Sequence, residues 1–336
     1  MTKFLLAVSL IALGGCVAAA PSAAQPSSAE PAAPEAVALA PDAAEGAATD
    51  LAKKASFDAA MAEADERQRV FDDPAMSMSL QGELVQGGLV FGQTLPGAKA
   101  TLDGEPLMVS DDGRFLLGFG RDHGKSALLV IRHVDGSVVR RALDIAPRAF
   151  PVDRIDGLDQ SKVSGFTPEQ LTKIAGDKEK KTAARATTDA APFWSAGFSW
   201  PVTGRISGVF GSQRILNGEA KTPHSGVDVA ASTGTPIKAP AAGIVRLAEP
   251  DMYFEGGLVF IDHGQWLESA FLHMSRIDVK PGDKVAAGQV IGAVGATGRA
   301  TGPHMHWSLK WMGTLVDPQL VAGEMPVSEK TASGSN

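Results

Sequence analysis

A short motif near the carboxy terminus constrains this chain more than any other part of its sequence. His304 and His306 stand one residue apart after a glycine-rich turn, and they begin an alternating polar and apolar run at 304–309. Such alternation predicts a β-strand, in which side chains two positions apart point to the same face of the sheet. Two imidazoles on one sheet face predict a metal site or an acid–base pair if the rest of the chain supplies partners.

The composition limits the classes of partner that we expect. The chain has 336 residues and a net charge of −7, without a block of lysine or arginine. Because nucleic-acid binding needs a concentrated basic face, we expect no nucleic-acid partner. The length is sufficient for two domains with linkers. The one cysteine, Cys16, excludes an intrachain disulfide, so a zinc site would need histidine and carboxylate ligands.

The amino terminus has the features of an export signal. A lysine precedes an apolar run that is too short to span a bilayer as a permanent helix. The residues that lead to Cys16 resemble a bacterial lipobox, so 1–16 is predicted to be a signal peptide ending at a lipid-bearing cysteine. The alternative is an ordinary signal cleaved after Ala20 or Ala24. The lipobox interpretation predicts an exported, periplasmic protein that a lipid on Cys16 anchors to the outer membrane.

The next segments differ in amino-acid composition and in predicted structure. Residues 17–50 are mostly alanine, proline, serine and glutamate and are predicted to be a disordered tether. A short helical segment is predicted at 51–77. Short apolar runs separated by Asp-Gly turns predict a small β-sandwich-like domain at 78–150. Within it, His123 and His133 lie in or beside turns without a ligand-spaced companion, so we expect both to be solvated loop histidines.

A helical connector is predicted at 151–192, and a mainly β domain follows it. Thr167 precedes proline and, three positions later, glutamine, which is typical of a capped helix start. The charged run at 178–181 is predicted to be a solvated surface. Glycine and β-branched runs predict a strongly curved or barrel-like sheet at 193–327. The last residues, 328–336, are predicted to be a disordered tail.

The first candidate ligands lie upstream of the His-x-His motif. His224 and Asp228 are four positions apart, and Pro223 and Gly226 favour a loop that runs into a strand. The two side chains can therefore converge on one point. Together with His306 they make a set of nitrogen and oxygen ligands, and a catalytic zinc ion takes three protein ligands and leaves the fourth position for water.

Two further histidines remain to be assigned. His304 shares the face of His306, so it lies next to the predicted metal without needing to bind it. His273 follows an apolar, strand-like run and can face the same cleft. One imidazole can take a proton from water and return it to a leaving amine, and another can donate to the oxyanion that forms on a carbonyl. The reaction that this set supports is metal-assisted hydrolysis of an amide bond.

These motifs in combination resemble the lysostaphin/LytM-type zinc metallopeptidases, which act on the peptide portion of bacterial peptidoglycan. The motifs are His-x-x-x-Asp, a separate histidine before Met-Ser, and Gly-x-x-Thr-Gly-Pro-His-x-His, within about 206–318. The resemblance implies a mainly β fold, in which a curved antiparallel sheet carries the metallopeptidase site. It implies the following roles: zinc ligands His224, Asp228 and His306; catalytic histidines His273 and His304.

The chain departs from the family pattern beside the site. Many relatives carry Tyr-Gly-Asn where this chain reads Glu-Gly-Gly at 255–257, so a substrate contact made by that asparagine is missing. His263 is predicted to be structural, because three ligands and two helpers are already assigned. Arg214 and Asn217 are predicted to line the substrate groove, and the alternative for both is a surface loop.

The resemblance implies a zinc-dependent endopeptidase that hydrolyses peptide cross-links of peptidoglycan, at the D-alanyl bond to a diamino acid. One alternative is a non-catalytic relative that activates a cell-wall amidase, which would add cell-wall enzymes as partners. The complete set of five site residues argues against it. Another alternative is a carrier module, since 280–291 also resembles biotinyl and lipoyl domains. Such modules lack the His-x-x-x-Asp element.

Overall fold

A computed structural model of the protein describes residues 77–158, 160 and 163–326. The predicted signal and lipid site at 1–16, the tether at 17–50 and the tail at 328–336 lie outside the described residues. The helix predicted at 51–77 also lies outside them, apart from Ser77. In the described part of the chain, no helix combines the length and the apolar character needed to cross a membrane.

The first part of the described chain forms two antiparallel sheets. Their strands are β1 Met78–Gln81, β2 Leu89–Thr94, β3 Lys99–Leu102, β4 Glu105–Leu107, β5 Arg114–Gly118, β6 Ser126–Arg132 and β7 Val138–Asp144. One sheet has the order β1-β2-β5 and the other β4-β3-β6-β7. Asp103 and Gly104, both left-handed at φ 50° and 85°, form the β3–β4 turn that the Asp-Gly pair predicts. Leu84 and Val85 lie outside these strands, and Val85 makes an isolated bridge to Ala146.

The two histidines of these sheets differ from each other. His133 is buried, and its ring nitrogens lie 3.1 Å from the Thr94 hydroxyl and 3.0 Å from the Ser137 hydroxyl. The prediction of a solvated loop histidine is therefore wrong for His133, because the hydroxyls of Thr94, at the end of β2, and of Ser137, in the same hairpin loop, satisfy its ring. His123 is half-buried and packs edge-on against Phe119, with the ring centroids 5.0 Å apart.

The connector contains strand β8 Val152–Ile155, helix α1 Pro168–Ala184 and a 3₁₀ turn Phe193–Ala196. The predicted capping box is present: the Thr167 hydroxyl accepts from the Gln170 amide, and the Gln170 side chain accepts from the Thr167 amide. The predicted solvated run at 178–181 is partly wrong, because Lys180 pairs with Glu249 at 2.8 Å and Lys181 pairs with Glu255. These ion pairs attach α1 to the sheet that follows.

The last part of the chain builds an open, antiparallel sheet with smaller sheets beside it. Its elements are β9 Arg205–Gly208, β10 Gln213–Leu216, β11 Glu219–Ala220, β12 Val227–Ala230, β13 Pro236–Lys238, β14 Gly243–Met252, β15 Gly256–Asp262, β16 Leu267–Met274, β17 Arg276–Ile277, β18 Lys284–Val285, β19 Val290–Ala293, β20 His304–Trp311, β21 Thr314–Val316 and helix α2 Pro318–Ala322. The main sheet has the order β18-β14-β15-β16-β20-β12-β9, with β21 on β20. Its edge strands do not pair with each other among the described residues, so the barrel-like alternative is wrong and the open, curved sheet is confirmed.

Strand β20 divides its side chains between two environments. Met305 and Trp307 point into the core on one face of the main sheet, while His304, His306 and Lys310 point to the other face. Further along the strand, Trp311 joins the hydrophobic core of the amino-terminal sheets. Gly118 of β5 makes this contact possible, because a Cβ there would lie 2.6 Å from the Trp311 ring. The core of the amino-terminal sheets thus extends onto residues of the main sheet, including Leu267, Leu309 and Val316.

Candidate metal centre and its groove

Two paired strands and the loop before one of them bring the candidate ligands together. Strand β12 pairs with β20 so that Asp228 stands opposite His306, and β16 places Leu272 on the other side of His306. Asp228 lies near the start of β12, as the sequence predicts. His224 lies in the preceding loop, which is fixed by the backbone bond from the His224 amide to the Ser212 carbonyl at 2.8 Å.

The three candidate ligand atoms lie at the spacing that a tetrahedral ion requires. Asp228 Oδ1 is 2.7 Å from His306 Nδ1 and 3.1 Å from His224 Nε2, and the two nitrogens are 3.0 Å apart. The edges of a zinc tetrahedron with bonds of about 2.0 Å measure about 3.3 Å. A small outward movement therefore makes the three atoms one face of such a tetrahedron. These residues form the group in the described chain that meets the geometric conditions for holding a metal.

The hydrogen bonds around the group also favour a cation at its centre. The other ring nitrogen of His224, Nδ1, donates to the Val209 carbonyl at 2.9 Å, so Nε2 of the neutral ring carries a lone pair. That lone pair faces the Asp228 carboxylate oxygen, which is also an acceptor. Two acceptors at 3.1 Å repel each other unless a positive charge lies between them. The donor set therefore fits a divalent metal ion.

Outer contacts hold each of these side chains in place. Arg214 donates through Nη2 to Asp228 Oδ2 at 2.9 Å, which leaves Oδ1 for the centre of the group. The Ser225 hydroxyl lies 3.2 Å from Nε2 of His306. Gly208 is required beside them, because a Cβ there would lie 2.6 Å from Asp228 Oδ2. Such outer partners orient metal ligands and tune their basicity.

Burial and neighbouring charge shift the titration of the group. Burial opposes ionisation of Asp228, but the adjacent His224 and His306 rings outweigh it and hold the pKa of that carboxyl well below its usual range. Burial lowers the pKa of His306 to about 4, against the opposing influence of Asp228. At neutral pH the group therefore combines a carboxylate with a neutral His306 imidazole, which is the protonation state that a metal ion needs.

A β-bulge turns His273 towards the group. In strict alternation, His273 would face the core like Phe271, because Leu272 lies on the face of His306. The pairing of β15 with β16 shifts at this point, and His273 takes a left-handed backbone conformation with φ 64°. The bulge therefore re-aims the imidazole to the same side as Leu272, while Met274 returns to the core.

His273 and His304 present themselves to the groove in the same way. Nδ1 of His273 donates to the Thr297 carbonyl at 2.8 Å, and Nδ1 of His304 donates to the Gly302 carbonyl at 2.8 Å. In each neutral ring, Nε2 is then the atom with the lone pair. The ring centroids are 4.8 Å apart, and Nε2 of His304 lies 3.7 Å from Asp228 Oδ1. Burial, and then the nearby His304 and His306, lower the pKa of His273 to about 3.

The group opens into a groove with a volume of about 510 Å³. Its walls come from β9, β12, the loop at 299–304 and, on the far side, the connector segment around β8. The connector wall is absent from the sequence prediction. It arises because β8 pairs in parallel with β10, a long-range contact without a local signal. Four arginines line the groove: Arg154, Arg205, Arg214 and Arg299.

The remaining predicted site residues lie in different surroundings. Arg214 lines the groove beside Asp228. The structure does not bring Asn217 to the group: its side-chain amide bonds the backbone of Leu158, at 3.0 Å to the amide and 2.8 Å to the carbonyl. His263 is buried elsewhere, 2.7 Å from the Ala242 carbonyl and 2.8 Å from the Ser269 hydroxyl. Both nitrogens of His263 thus have protein partners, as expected for a structural histidine.

Comparison with known proteins points to one family. The model of peptidase family M23 matches residues 222–318, which contain the three candidate ligands together with His273 and His304. Peptidoglycan DD-endopeptidase ShyC of Vibrio cholerae is 37% identical over 127 residues, 37% of this chain and 28% of that protein. Peptidoglycan DD-endopeptidase ShyA of the same species is 42% identical over 114 residues, 34% of this chain and 26% of that protein. The chain thus spans less than a third of the length of either relative.

A solved structure extends the likeness to most of the described chain. It is a crystal structure from Pseudomonas aeruginosa of a protein assigned to peptidase M23, with 34% sequence identity and a TM-score of 0.56. The similarity covers 72% of this chain and 96% of that one. With the family match and the geometry of the histidine group, this coverage is decisive: the chain belongs to peptidase family M23.

Proposed function

We propose that the protein is a zinc-dependent endopeptidase that hydrolyses peptide cross-links of bacterial peptidoglycan. The observation that carries the proposal is the convergence of three candidate ligands and two further imidazoles at the end of one groove. The names of the aligned relatives, ShyC and ShyA, support peptidoglycan as the substrate. The sequence motif at Cys16 supports export and lipid anchoring, which stays part of the proposal.

His224, Asp228 and His306 would hold the zinc ion. When bound at such a site, zinc supplies a Lewis acid and brings the pKa of a water molecule to about 7. The chain's contribution is to fix the ligands: Val209 sets the tautomer of His224, and Arg214 holds the carboxylate with one oxygen turned inwards. Burial excludes bulk water from this end of the groove, which strengthens the interactions inside it.

His273 and His304 would move the proton. Both rings have Nδ1 tied to a backbone carbonyl, so each presents Nε2 to the groove as a base. Once a ring has accepted a proton at Nε2, the same N–H can donate to the oxyanion or return the proton to the leaving amine. Their rings lie 4.8 Å apart, which lets the pair divide these roles on one scissile bond.

The charge of the groove favours a substrate that carries carboxylates. The chain as a whole has a net charge of −7, yet the groove has four arginines and the acids Asp153 and Asp228. Arg214 binds Asp228, whereas Arg154 and Arg205 are exposed on the groove wall. Guanidinium groups bind carboxylates in a two-point geometry, so these two arginines are suited to acidic groups of a stem peptide.

The test uses the protein without residues 1–16, incubated with purified peptidoglycan sacculi with and without a chelator. We expect cross-linked muropeptides to be converted to monomers, and we expect the chelator to stop this and added zinc to restore it. If the muropeptide pattern does not change while the protein holds one equivalent of zinc, the endopeptidase proposal is wrong. In that case, stimulation of an added amidase would identify the protein as an activator.

Two variants test the division of roles. His306→Ala should lose bound zinc, measured by elemental analysis, together with turnover. His304→Ala should keep zinc and lose turnover by about 10²- to 10⁴-fold, because only the proton transfer is removed. Equal loss of zinc in both variants would contradict the roles. His123→Ala serves as a matched control, since that histidine is half-buried among the amino-terminal sheets.

A further inference from the structure

A second pocket lies on the main sheet and shares no lining residue with the groove. Its volume is about 360 Å³, and it is formed where α1 ends against strands β14, β15, β16 and β20. Lys310 and Glu268 belong to its strand wall, and Arg185 follows α1. Trp266 and Met312 belong to the two hairpin turns at its rim. We refer to it as the Lys310 pocket.

The two hairpin turns hold large apolar side chains in an unfavourable backbone conformation. Gln265 and Trp266 have φ 53° and 63°, and Met312 and Gly313 have φ 44° and 84°. Tight hairpin turns with positive φ at consecutive positions strongly prefer glycine, asparagine or aspartate. A tryptophan or methionine in this conformation is an outlier, and such strain persists at functional positions. The Met312 amide donates to the Trp266 carbonyl at 3.2 Å, so the turns are joined.

Both apolar side chains are exposed to solvent at the rim. Trp266 is 39% exposed and Met312 is 40% exposed. Neither exposure is needed for the turn, because glycine or asparagine would make the same turn at lower cost. An exposed aromatic side chain and a flexible thioether at the mouth of a pocket are suited to contact with an apolar ligand group.

The charges inside the pocket leave one cation without a hydrogen-bonded partner. Arg185 makes a two-point contact with Glu268, at 2.6 Å and 3.0 Å to Oε1, and Arg246 contacts Asp262 at 2.7 Å. Lys310 stands opposite Glu268 in the strand pairing, but its ammonium has no hydrogen bond or close ion pair within the described part of the chain. Burial, and then Arg185, lower the pKa of Lys310. The ammonium of Lys310 therefore has no hydrogen-bond acceptor in the described part of the chain, and a ligand can supply one.

We propose that the Lys310 pocket binds an apolar side chain that carries a neighbouring carboxylate, with the carboxylate on Lys310 and the apolar group between Trp266 and Met312. Its volume is at the small end of ligand pockets, with room for one or two side chains. Two sources share this chemistry: the free carboxyl end of a peptide, and a small acylated amino acid. The inference stands apart from the reaction proposed for the groove.

The experiment measures ligand-induced shifts of backbone amides by NMR on the zinc-loaded protein. The small probes are N-acetyl-phenylalanine and N-acetyl-phenylalaninamide, and the peptide probes are Gly-Gly-Phe with a free or an amidated carboxyl end. We expect shifts at Trp266, Lys310 and Met312, and binding of each carboxylate about tenfold tighter than that of its amide. Tighter binding of the peptide acid than of the acylated amino acid would identify a peptide end as the source, and the reverse would identify the small acid.

Two variants make the proposal falsifiable without relying on unfolding. Trp266→Gly should weaken binding of both carboxylates and raise thermal stability, because glycine relieves the turn. Lys310→Met should remove the preference for carboxylate over amide. The control variants Lys284→Met and Leu95→Ala change exposed residues outside the pocket. They should leave both the binding of the carboxylates and the preference for acid over amide unchanged. Equal binding of acid and amide by the native protein, absence of binding at millimolar concentration, or shifts confined to the groove would each overturn the proposal.

Discussion

Two regions of buried histidine in the carboxy-terminal part of the chain differ in their partners. Around Asp228, His224 and His306 turn ring nitrogens towards one another and towards a carboxylate oxygen at 2.7–3.1 Å. Around Ser269, His263 has both nitrogens bonded to neutral protein groups. The difference teaches that burial alone does not mark a site. A set of hydrogen-bond acceptors that face one point without enough protons between them does mark a site, because a cation is needed to offset their repulsion.

The largest effect is expected at the centre of the first region. Asp228→Asn keeps the shape of the side chain and removes its charge, which also leaves Arg214 without its anionic partner. Because a bound Lewis acid is worth several kcal/mol to the transition state, we expect turnover to fall by about a thousandfold or more. Zinc affinity, measured by competition with a chelating dye, should fall in parallel. Unchanged zinc affinity would show that Asp228 is not a metal ligand and that the region around Asp228 does not differ from the region around Ser269 in this respect.

The next effect concerns His273, whose ring is aimed by the bulge. His273→Asn places a residue that tolerates positive φ at the same point, so the fold and zinc content should be retained. Turnover should fall by about 10²- to 10⁴-fold, since a base is removed. Circular dichroism and elemental analysis verify the retained fold and metal. Loss of zinc in this variant would instead place His273 among the ligands.

The second region should affect stability and leave turnover unchanged. Burial lowers the pKa of His263 to about 4 from its ordinary value near 6.5, against weaker opposing influences of Ala242 and Asp262. Between these values the unfolded chain binds a proton that the folded chain does not. The free energy of unfolding therefore falls as the pH drops through this window, by about 3 kcal/mol from this residue.

Denaturant titrations of native protein and His263→Gln, from pH 7 to pH 4, measure this contribution. The variant should be less stable at pH 7, because buried hydrogen bonds are altered, and should lose less stability on acidification. Comparing the two slopes separates His263 from the other buried histidines, which titrate in both proteins. Identical slopes would contradict the assignment.

The smallest effect is expected at the rim of the groove. Arg205→Gln removes an exposed charge that lies opposite Ala230 in the strand pairing, in line with His304. We expect KM for anionic peptides to rise a few-fold with little change in kcat, and the effect to fade at high salt. Arg141→Gln, an exposed arginine of β7, is the matched control. A fall in kcat with unchanged KM would indicate a role closer to the reaction.

The parts of the site that follow from local pattern could be predicted from the sequence. Alternation at 304–309 predicts a strand with His304 and His306 on one face, and the loop before Asp228 follows from its proline and glycine. The start of α1 was equally accessible, because a capping box is a contact within four residues. These features are confirmed because each depends on neighbours in the chain.

The features that local pattern does not predict depend on contacts distant in sequence. His273 was predicted to face the cleft, but alternation alone would place it in the core, and the bulge that turns it outwards depends on the pairing of β16 with β15. His133 was wrongly predicted to be solvated because its partner Thr94 is 39 residues away. The connector wall of the groove depends on the pairing of β8 with β10. None of these pairings has a local signature, so the sequence pattern could not reveal them.

Trp311, at the end of β20, links the strand that carries His304 and His306 to the core of the amino-terminal sheets. Trp311 belongs to the same hydrophobic core as Phe115, Leu117 and Phe119 of the amino-terminal sheets, and it lies on the strand that presents His304 and His306. A fragment trimmed to the family match at 222–318 would keep every histidine of the groove. It would also expose to water the apolar surface around Trp311 that the amino-terminal sheets cover. Such a fragment would therefore become insoluble although all of its site residues are present.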